Sequence, residues 1–231
     1  MAKAQSGAIE LADVGFSYGG DAVLEKVDLR LAPGSFHFLT GPSGSGKTTL
    51  LRLMTRELSP TSGTVRIFGE DGAGMDRDRV ARARRRIGIV HQDLRFLDHL
   101  PIAENVALPL SVSGKDEEAR KTLPDLLKWV GLSKLSRSRP PELSGGERQR
   151  AALARAVVMA PDVVLADEPT GNVDFEMSMR LLGLLVELNK MGKTIFVATH
   201  DMSLIRALKG QVEARVLRLK GRRLALAGTD L

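Results

Sequence analysis

The chain has 231 residues, no cysteine, and 34 Lys plus Arg against 28 Asp plus Glu, for a formal net charge of +6. That length buries a sizeable core and fits one large domain or a core with an inserted lobe, while the lack of cysteine excludes a disulfide framework and thiolate metal sites. The positive charge leaves nucleic acid, anionic lipid and a nucleotide open as partners, but aromatic residues, only 4% of the chain, are too few for a base-stacking platform for single-stranded nucleic acid, and with the motifs below no nucleic-acid partner is expected. The first residues hold no signal-peptide core and no window approaches a membrane-spanning run, so work at a membrane is expected to come from docking.

Taken in order, Ile9, Leu11, Val14 and Phe16, then Val23, Leu24, Val27, Leu29 and Leu31, form partly alternating runs around Gly19-Gly20-Asp21. They predict an antiparallel strand pair, with Tyr18 at the end of its first strand. Phe36, Phe38 and Leu39 predict a strand that feeds Gly41-Pro42-Ser43-Gly44-Ser45-Gly46-Lys47-Thr48, and Leu50, Leu51, Leu53 and Met54 predict the helix that follows. This is the phosphate-binding P-loop pattern. Backbone N–H groups converge on an anion at a helix N-terminus, Lys47 reaches the β/γ-phosphates and the Thr48 hydroxyl ligates Mg²⁺.

A turn at Pro60-Thr61-Ser62-Gly63 precedes a short strand over 64–68, a basic helix over 76–86 and a buried strand over 87–90 that ends at His91-Gln92. Arg77, Arg79, Arg82, Arg84, Arg85 and Arg86, and later Arg215, Arg218, Lys220, Arg222 and Arg223, alternate with apolar residues as solvated faces do. A surface turned to lipid headgroups is the second reading. A mixed apolar stretch over 94–109 leads to an amphipathic helix over 115–130, a break at Pro140-Pro141, and an Ala-rich helix over 146–159 whose polar face carries Arg148, Arg150 and Arg155. The apolar run 163–166 predicts a central strand ending in Asp167-Glu168. A helix over 177–191, a buried strand over 195–198 ending at Thr199-His200, a helix from Met202 and a hairpin over 216–227 with Gly221 at its turn complete the chain. The alternation predicts an α/β fold with a largely parallel sheet. A single domain over 1–231 is expected, with its core at about 7–93 and 159–231 and a helical lobe at about 94–158.

Ligands bind at the carboxyl ends of parallel strands, and here those ends carry the P-loop, Gln92, Asp167-Glu168 and His200. Asp167 is a hard oxygen ligand suited to Mg²⁺, and Glu168 can orient or deprotonate an attacking water. Gln92 can bridge Mg²⁺ and that water, and His200 can donate to a γ-phosphate oxygen. Each alone reads as a satisfied polar residue at a strand end, but their shared address favours a nucleotide. Ser144-Gly145-Gly146-Glu147, at a second helix start, reads as another anion-binding terminus with a hydroxyl and bare N–H groups pointing outwards. It implies a homodimer in the nucleotide-bound state, two head-to-tail copies each completing the other's nucleotide site.

Residues 41–48, Gln92, 143–147, 163–167 with Glu168, Asp174 and His200, in that order, make the sequence resemble the ATP-binding subunits of ABC transporters over nearly its whole length. The resemblance implies a P-loop NTPase (RecA-like) core, an N-terminal antiparallel β-subdomain and an inserted α-helical lobe. It also implies hydrolysis of ATP with Mg²⁺ held by Thr48, Gln92 and Asp167. Tyr18 would stack on adenine, the loop through Thr49 would hold the phosphates, Glu168 would be the base and His200 would hold the γ-phosphate. Ser144, Gly145, Gly146 and Glu147 would contact ATP in trans, and Asp174 would couple the two sites. A groove near Gln92, with Leu97, Leu100 and Ile102 as candidates, would receive a short helix from an integral-membrane permease. That places the chain at the cytoplasmic face of the inner membrane.

Within the family, the run 167–174 and Glu104-Asn105-Val106-Ala107-Leu108-Pro109-Leu110 resemble the group of cell-division, lipoprotein-releasing and macrolide-export ATPases. Gln92-Asp93-Leu94-Arg95-Phe96-Leu97 is most similar to the cell-division branch, while Val173 and Leu100-Pro101-Ile102 depart from the group pattern. DNA-acting relatives carry a long coiled coil that has no counterpart here, translation-factor relatives carry two cassettes, and intact Lys47, Asp167, Glu168 and His200 argue against a non-hydrolysing regulatory cassette.

Overall fold

The computed structural model describes residues 7–171 and 173–227; Asn172, within the 167–174 run, and the ends 1–6 and 228–231 lie outside the described residues. Strands β1 (Ile9–Ser17) and β2 (Ala22–Leu31) pair antiparallel across Gly19-Gly20-Asp21, as their alternation predicts. After β3 (Phe36–Thr40) and α1 (Lys47–Met54), β4 (Ser62–Ile67) returns to the free edge of β1 and a two-residue β5 (Glu70–Asp71) pairs with it. The N-terminal sheet therefore has four strands in the order β2-β1-β4-β5. The last of these was too short to show a period.

Next come α2 (Arg77–Arg85), β6 (Ile87–Val90), α3 (Ile102–Val112), α4 (Asp116–Trp129), α5 (Gly145–Val157), β7 (Val163–Asp167), α6 (Phe175–Lys190), β8 (Thr194–Ala198), α7 (Met202–Ala207), β9 (Ala214–Lys220) and β10 (Arg223–Leu226). They build a six-stranded sheet in the order β10-β9-β3-β8-β7-β6. All neighbours in it are parallel except the terminal hairpin β9–β10, and β9 also adds to β3 in parallel, which hairpin spacing alone does not reveal.

The apolar runs are continuous because this sheet is covered on both faces, and the period of two sorts them between two cores. Leu39, Val163, Leu165, Phe196 and Ala198 pack towards α1 and the N-terminal sheet. Phe36, Phe38, Val164, Ala166, Ile195 and Val197 pack towards α5, α6 and α7. A third cluster, with Ile102, Val106, Leu110, Leu127 and Leu132, forms among α3, α4 and α5. Ile102 is 0% exposed there, which corrects its expected place in a docking groove; Leu97 stays exposed and Leu100 half-buried.

Helix α5 belongs to two cores at once. Ala152, Leu153, Ala156 and Val157 face the sheet while Ala151, Ala154 and Val158 face α3 and α4. Small residues allow this close approach. A Cβ placed on Gly88 of β6 would stand 2.2 Å from the Ala156 carbonyl oxygen, so the helix backbone rests directly on that strand.

All six arginines from Arg77 to Arg86 are exposed, as their alternation predicts. Two of them also tie elements together. Arg84 donates to the Thr55 and Arg56 carbonyls (2.9 and 2.8 Å), and Arg86 pairs with Asp162 at 2.7 Å while covering the Phe68 ring.

His37, the second residue of β3, is only 2% exposed and its Nδ1 has no hydrogen-bond partner among the described residues. Burial, and secondarily the Arg215 cation on β9, lower its pKa from 6.5 to about 4. The unfolded chain therefore takes up a proton between pH 6.5 and 4 that the folded chain refuses, and stability falls as pH drops through that window. The loss attributable to this group at pH 4 is on the order of 3 kcal/mol. His37→Leu should flatten this part of the acid limb in urea denaturation series. Superimposable pH profiles for the two proteins would show that the histidine is not responsible.

Candidate functional site

The loop between β3 and α1 reaches its shape through glycine. Gly46, at the entrance of α1, has φ of 101°, and a Cβ there would meet Val23 at 3.1 Å. No side chain caps α1 and its first turn has no acidic residue, so its leading N–H groups are left facing a ligand position at the positive end of the helix dipole.

Strand ends then bring the charged groups together. Lys47 Nζ donates to the carbonyl oxygens of Gly41 (2.9 Å) and Pro42 (3.3 Å) and lies 3.4 Å from Glu168 Oε1. The other Glu168 oxygen lies 3.0 Å from His200 Nδ1. Glu168 has φ of 45°, a left-handed backbone unusual for a residue with a side chain, and its N–H still donates to the Ala198 carbonyl at 2.9 Å. The β7–β8 ladder is thus carried one residue further, and the carboxylate is turned to meet Lys47 and His200.

Asp167 is nearly enclosed. Burial pushes its pKa up, against the Thr48 hydroxyl hydrogen bond that pulls it down; the neighbouring Glu168 charge raises it further and Lys47 lowers it. Its Oδ1 is buried with no hydrogen-bond partner. A partnerless carboxylate oxygen beside a threonine hydroxyl suits a hard divalent cation. Mg²⁺ is such an ion, bound by few protein oxygens together with substrate phosphates and water.

These groups line one cleft of about 760 Å³, which includes Tyr18, Pro42, Ser43, Gly44, Gly46, Lys47, Thr48, Thr49, Gln92, Asp167, Glu168 and His200. The Tyr18 ring, 58% exposed, stands edge-on to Phe16, with its hydroxyl 3.3 Å from Thr49 Oγ1. Gln92 lies where this cleft meets a second of about 530 Å³ that shares Thr48 and Asp167 and adds Arg52, Glu57, His91 and Arg95. In the sequence His91 read only as the residue that ends the strand, with no role assigned. Its pKa is lowered chiefly by burial, with the Glu57 carboxylate opposing.

Ser144, Gly145, Gly146 and Glu147 stand apart from this cleft, at the start of α5. Ser144 is exposed, and its hydroxyl is engaged within the cap. Ser144 Oγ donates to Glu147 Oε2 at 2.7 Å, the Ser144 N–H donates to the same oxygen at 2.8 Å, and the Glu147 N–H returns to Ser144 Oγ. This reciprocal capping box depresses the Glu147 pKa. Gly146 is covered by Met177, whose Cγ would lie 2.6 Å from a Cβ. Asp174 caps α6 by accepting the Met177 N–H at 2.8 Å, which starts that helix two residues before its apolar period does. Arg150 also reaches the Met177 sulfur, so the α5 and α6 termini are joined through one methionine.

The family described as ABC transporter matches residues 24–171. The chain belongs to the ABC transporter family. It is 38% identical over 208 residues to the cell division ATP-binding protein FtsE of Bacillus subtilis, covering 89% of this chain and 91% of that one. The FtsE proteins of Mycobacterium tuberculosis (43% over 190 residues, 82% and 83% covered) and Escherichia coli (42% over 188 residues, 81% and 85% covered) are similarly related. Among solved structures, the ATP-binding cassette MJ0796 in a dimeric post-hydrolysis state with ADP and Pi matches with a TM-score of 0.82 at 34% identity, over 95% of this chain and 99% of that one. A second dimeric structure of MJ0796 matches with a TM-score of 0.83 at 35% identity, over 94% and 96%. The ABC ATPase fold expected from the sequence is the fold observed, and the chain is an ATPase.

Because the folded state raises the Asp167 pKa, ionisation of this carboxylate opposes folding once pH exceeds the unfolded value, and the penalty disappears as pH falls below it. Asp167→Asn should therefore raise the denaturation midpoint at pH 7 in buffer without nucleotide or Mg²⁺, by an increment that shrinks towards pH 4. The same variant should lose ATP hydrolysis. A lower midpoint at pH 7 would count against the buried-charge account.

Proposed function

We propose that this chain is the ATP-hydrolysing subunit of a membrane-bound ABC complex of cell division, acting with a permease-like FtsX partner to control periplasmic peptidoglycan hydrolysis. The observation that carries this reading is the single cleft in which Lys47, Thr48, Gln92, Asp167, Glu168 and His200 meet, in a chain whose relatives are named FtsE. ATP lies with its adenine on the exposed Tyr18 ring and its phosphates over residues 41–49. Lys47, held at the loop carbonyls, is the cation available to the β/γ-phosphates. Thr48, Asp167 and Gln92 would hold Mg²⁺, which supplies neutralisation of phosphate charge when bound. Glu168 is the base that takes the proton of the attacking water.

His200 has a tautomer constraint. Bonded to Glu168 through Nδ1, it offers a phosphate oxygen a second donor at Nε2 only as the imidazolium, or after the ring turns away. Ser144, Gly145, Gly146 and Glu147 serve the nucleotide of a second copy in the ATP-bound homodimer, with Asp174 beside them as the coupling residue; the dimeric cassettes among the structural relatives support this arrangement. Freeing the Ser144 hydroxyl for a phosphate then means exchanging its bond to Glu147.

No helix of the described residues is long and apolar enough to cross a membrane. The chain reaches the cytoplasmic face of the inner membrane through its permease, which docks by a short helix beside the exposed Leu97, against the lobe of residues 94–158. Purifying the tagged chain from native membranes in mild detergent tests this. A co-purifying FtsX-like permease supports the cell-division reading, whereas a lipoprotein-release or macrolide-export permease replaces it and leaves the ATP site unchanged.

Glu168→Gln should keep ATP binding and trap an ATP-bound dimer, since it removes the base but preserves the loop and Asp167; a variant that stays monomeric with ATP and Mg²⁺ on a sizing column would count against the two-site arrangement. Lys47→Ala should weaken ATP binding by at least about tenfold in equilibrium titration, as a charge-assisted phosphate contact is lost. Unchanged affinity would remove the loop from the site.

A further inference from the structure

Arg155 sits on α5, the helix whose other end carries Ser144 and Gly146, and it reaches across to the segment that follows Gln92. Its guanidinium donates from Nη1 to the Arg95 carbonyl at 3.1 Å and from Nη2 to the Leu94 carbonyl, and it lies 4.6 Å from the Phe96 ring centroid. One side chain thus grips three consecutive residues. Its pKa is lowered by burial, and among the described residues no acidic group offsets that shift. A half-buried cation without a carboxylate is tolerated only where carbonyl dipoles and an aromatic face replace water, as they do here.

The gripped segment is itself constrained. Arg95 has φ of 44°, a left-handed conformation that costs a residue with a side chain about 1 kcal/mol, and the carbonyl of that residue is one of the two that Arg155 holds. Further along, Asn105 of α3, 0% exposed, takes over: it accepts the Leu97 N–H and donates to the Leu97 and Leu100 carbonyls. Gln92 and Asp93, exposed between the end of β6 and this doubly anchored stretch, have no such anchor of their own among the hydrogen bonds and ion pairs of the described residues. The approach of Gln92 to Thr48 and Asp167 is therefore set by the end of β6 on one side and by the Arg155 grip on the other.

We propose that Arg155 is a positioning residue for ATP hydrolysis: by clamping the backbone of residues 94–96 to α5, it fixes Gln92 at the edge of the nucleotide cleft and ties its placement to the helix that presents Ser144 and Gly146. This rests on the nucleotide reading of the cleft. The clamp requires the forked donor. A lysine offers one charged nitrogen and no flat face for Phe96, so it holds the segment less firmly.

The test is a double-mutant cycle on the full chain, assembled with its permease, reading kcat and KM for ATP with Arg155→Ala, Gln92→Ala and both together. Arg155→Ala is expected to lower kcat about tenfold or more while KM moves less than about threefold, and to add less than about twofold once Gln92 is already alanine. Arg155→Lys should recover part of the lost kcat. If Arg155→Ala does not fold, as judged by thermal denaturation, Arg155→Lys and Phe96→Leu take its place in the same cycle, with smaller losses expected but the same failure to multiply. Losses that multiply in the double variant, or an unchanged kcat in the folded single variants, overturn the proposal. If Gln92→Ala itself leaves kcat unchanged, the route through Gln92 falls while ATP hydrolysis stands. A wild-type complex that neither binds nor hydrolyses ATP overturns the nucleotide reading, and this inference with it.

Discussion

The parallel pairing of β3, β8, β7 and β6 is the constraint on which the site depends. In-register pairing places Leu39 beside Ala198, Val197 beside Ala166, and Ala166 beside Val90, so the residues that follow each strand emerge along one edge. Those residues are the P-loop, His200, Asp167 with Glu168, and Gln92. A shift of one residue in any pair would send alternate side chains to the wrong core, because Val163 and Leu165 belong to one and Val164 and Ala166 to the other. Hydrophobic sorting between two cores thus holds the catalytic edge in line.

Charge at that edge is balanced by contact. Asp167 and Glu168 are adjacent and both more than nine-tenths buried, an arrangement opposed by desolvation and mutual repulsion. Lys47 lies 3.4 Å from one oxygen of Glu168, His200 meets the other, and the Thr48 hydroxyl serves Asp167. Each of these partners also has an expected role towards nucleotide or Mg²⁺. On the proposed reading of the cleft, ligand binding would exchange partners within this polar cluster.

Helix α5 links this edge to the rest of the molecule. Its start carries the capping box of Ser144 and Glu147, its middle contacts Met177 through Arg150, and its far end rests on β6 at Gly88 and grips residues 94–96 through Arg155. Shared between the sheet core and the helical cluster, it is poorly suited to move independently of either. The Ser144 cap and the Arg155 contacts to residues 94–96 thus lie on one helix.

The sequence by itself determined the alternation of strands and helices in the sheet domain, the two-sided burial of the parallel strands and the identity of the residues at their ends, because apolar period, glycine placement and motif spacing are local properties; the mixed stretch 94–109 did not show α3. What it left open required contacts between distant residues. The two-residue β5 and the parallel addition of β9 to β3 depend on neighbours that no local pattern names. Ile102 looked available for docking until the packing of α3 enclosed it, and the bond between the exposed Ser144 hydroxyl and the Glu147 side chain appears only in the folded chain. Arg155 read as one more charge on a polar helix face. Only the tertiary structure put it against the carbonyls of Leu94 and Arg95, since a hydrogen bond between residues some sixty positions apart is decided by the path of the backbone and not by the side chain that makes it.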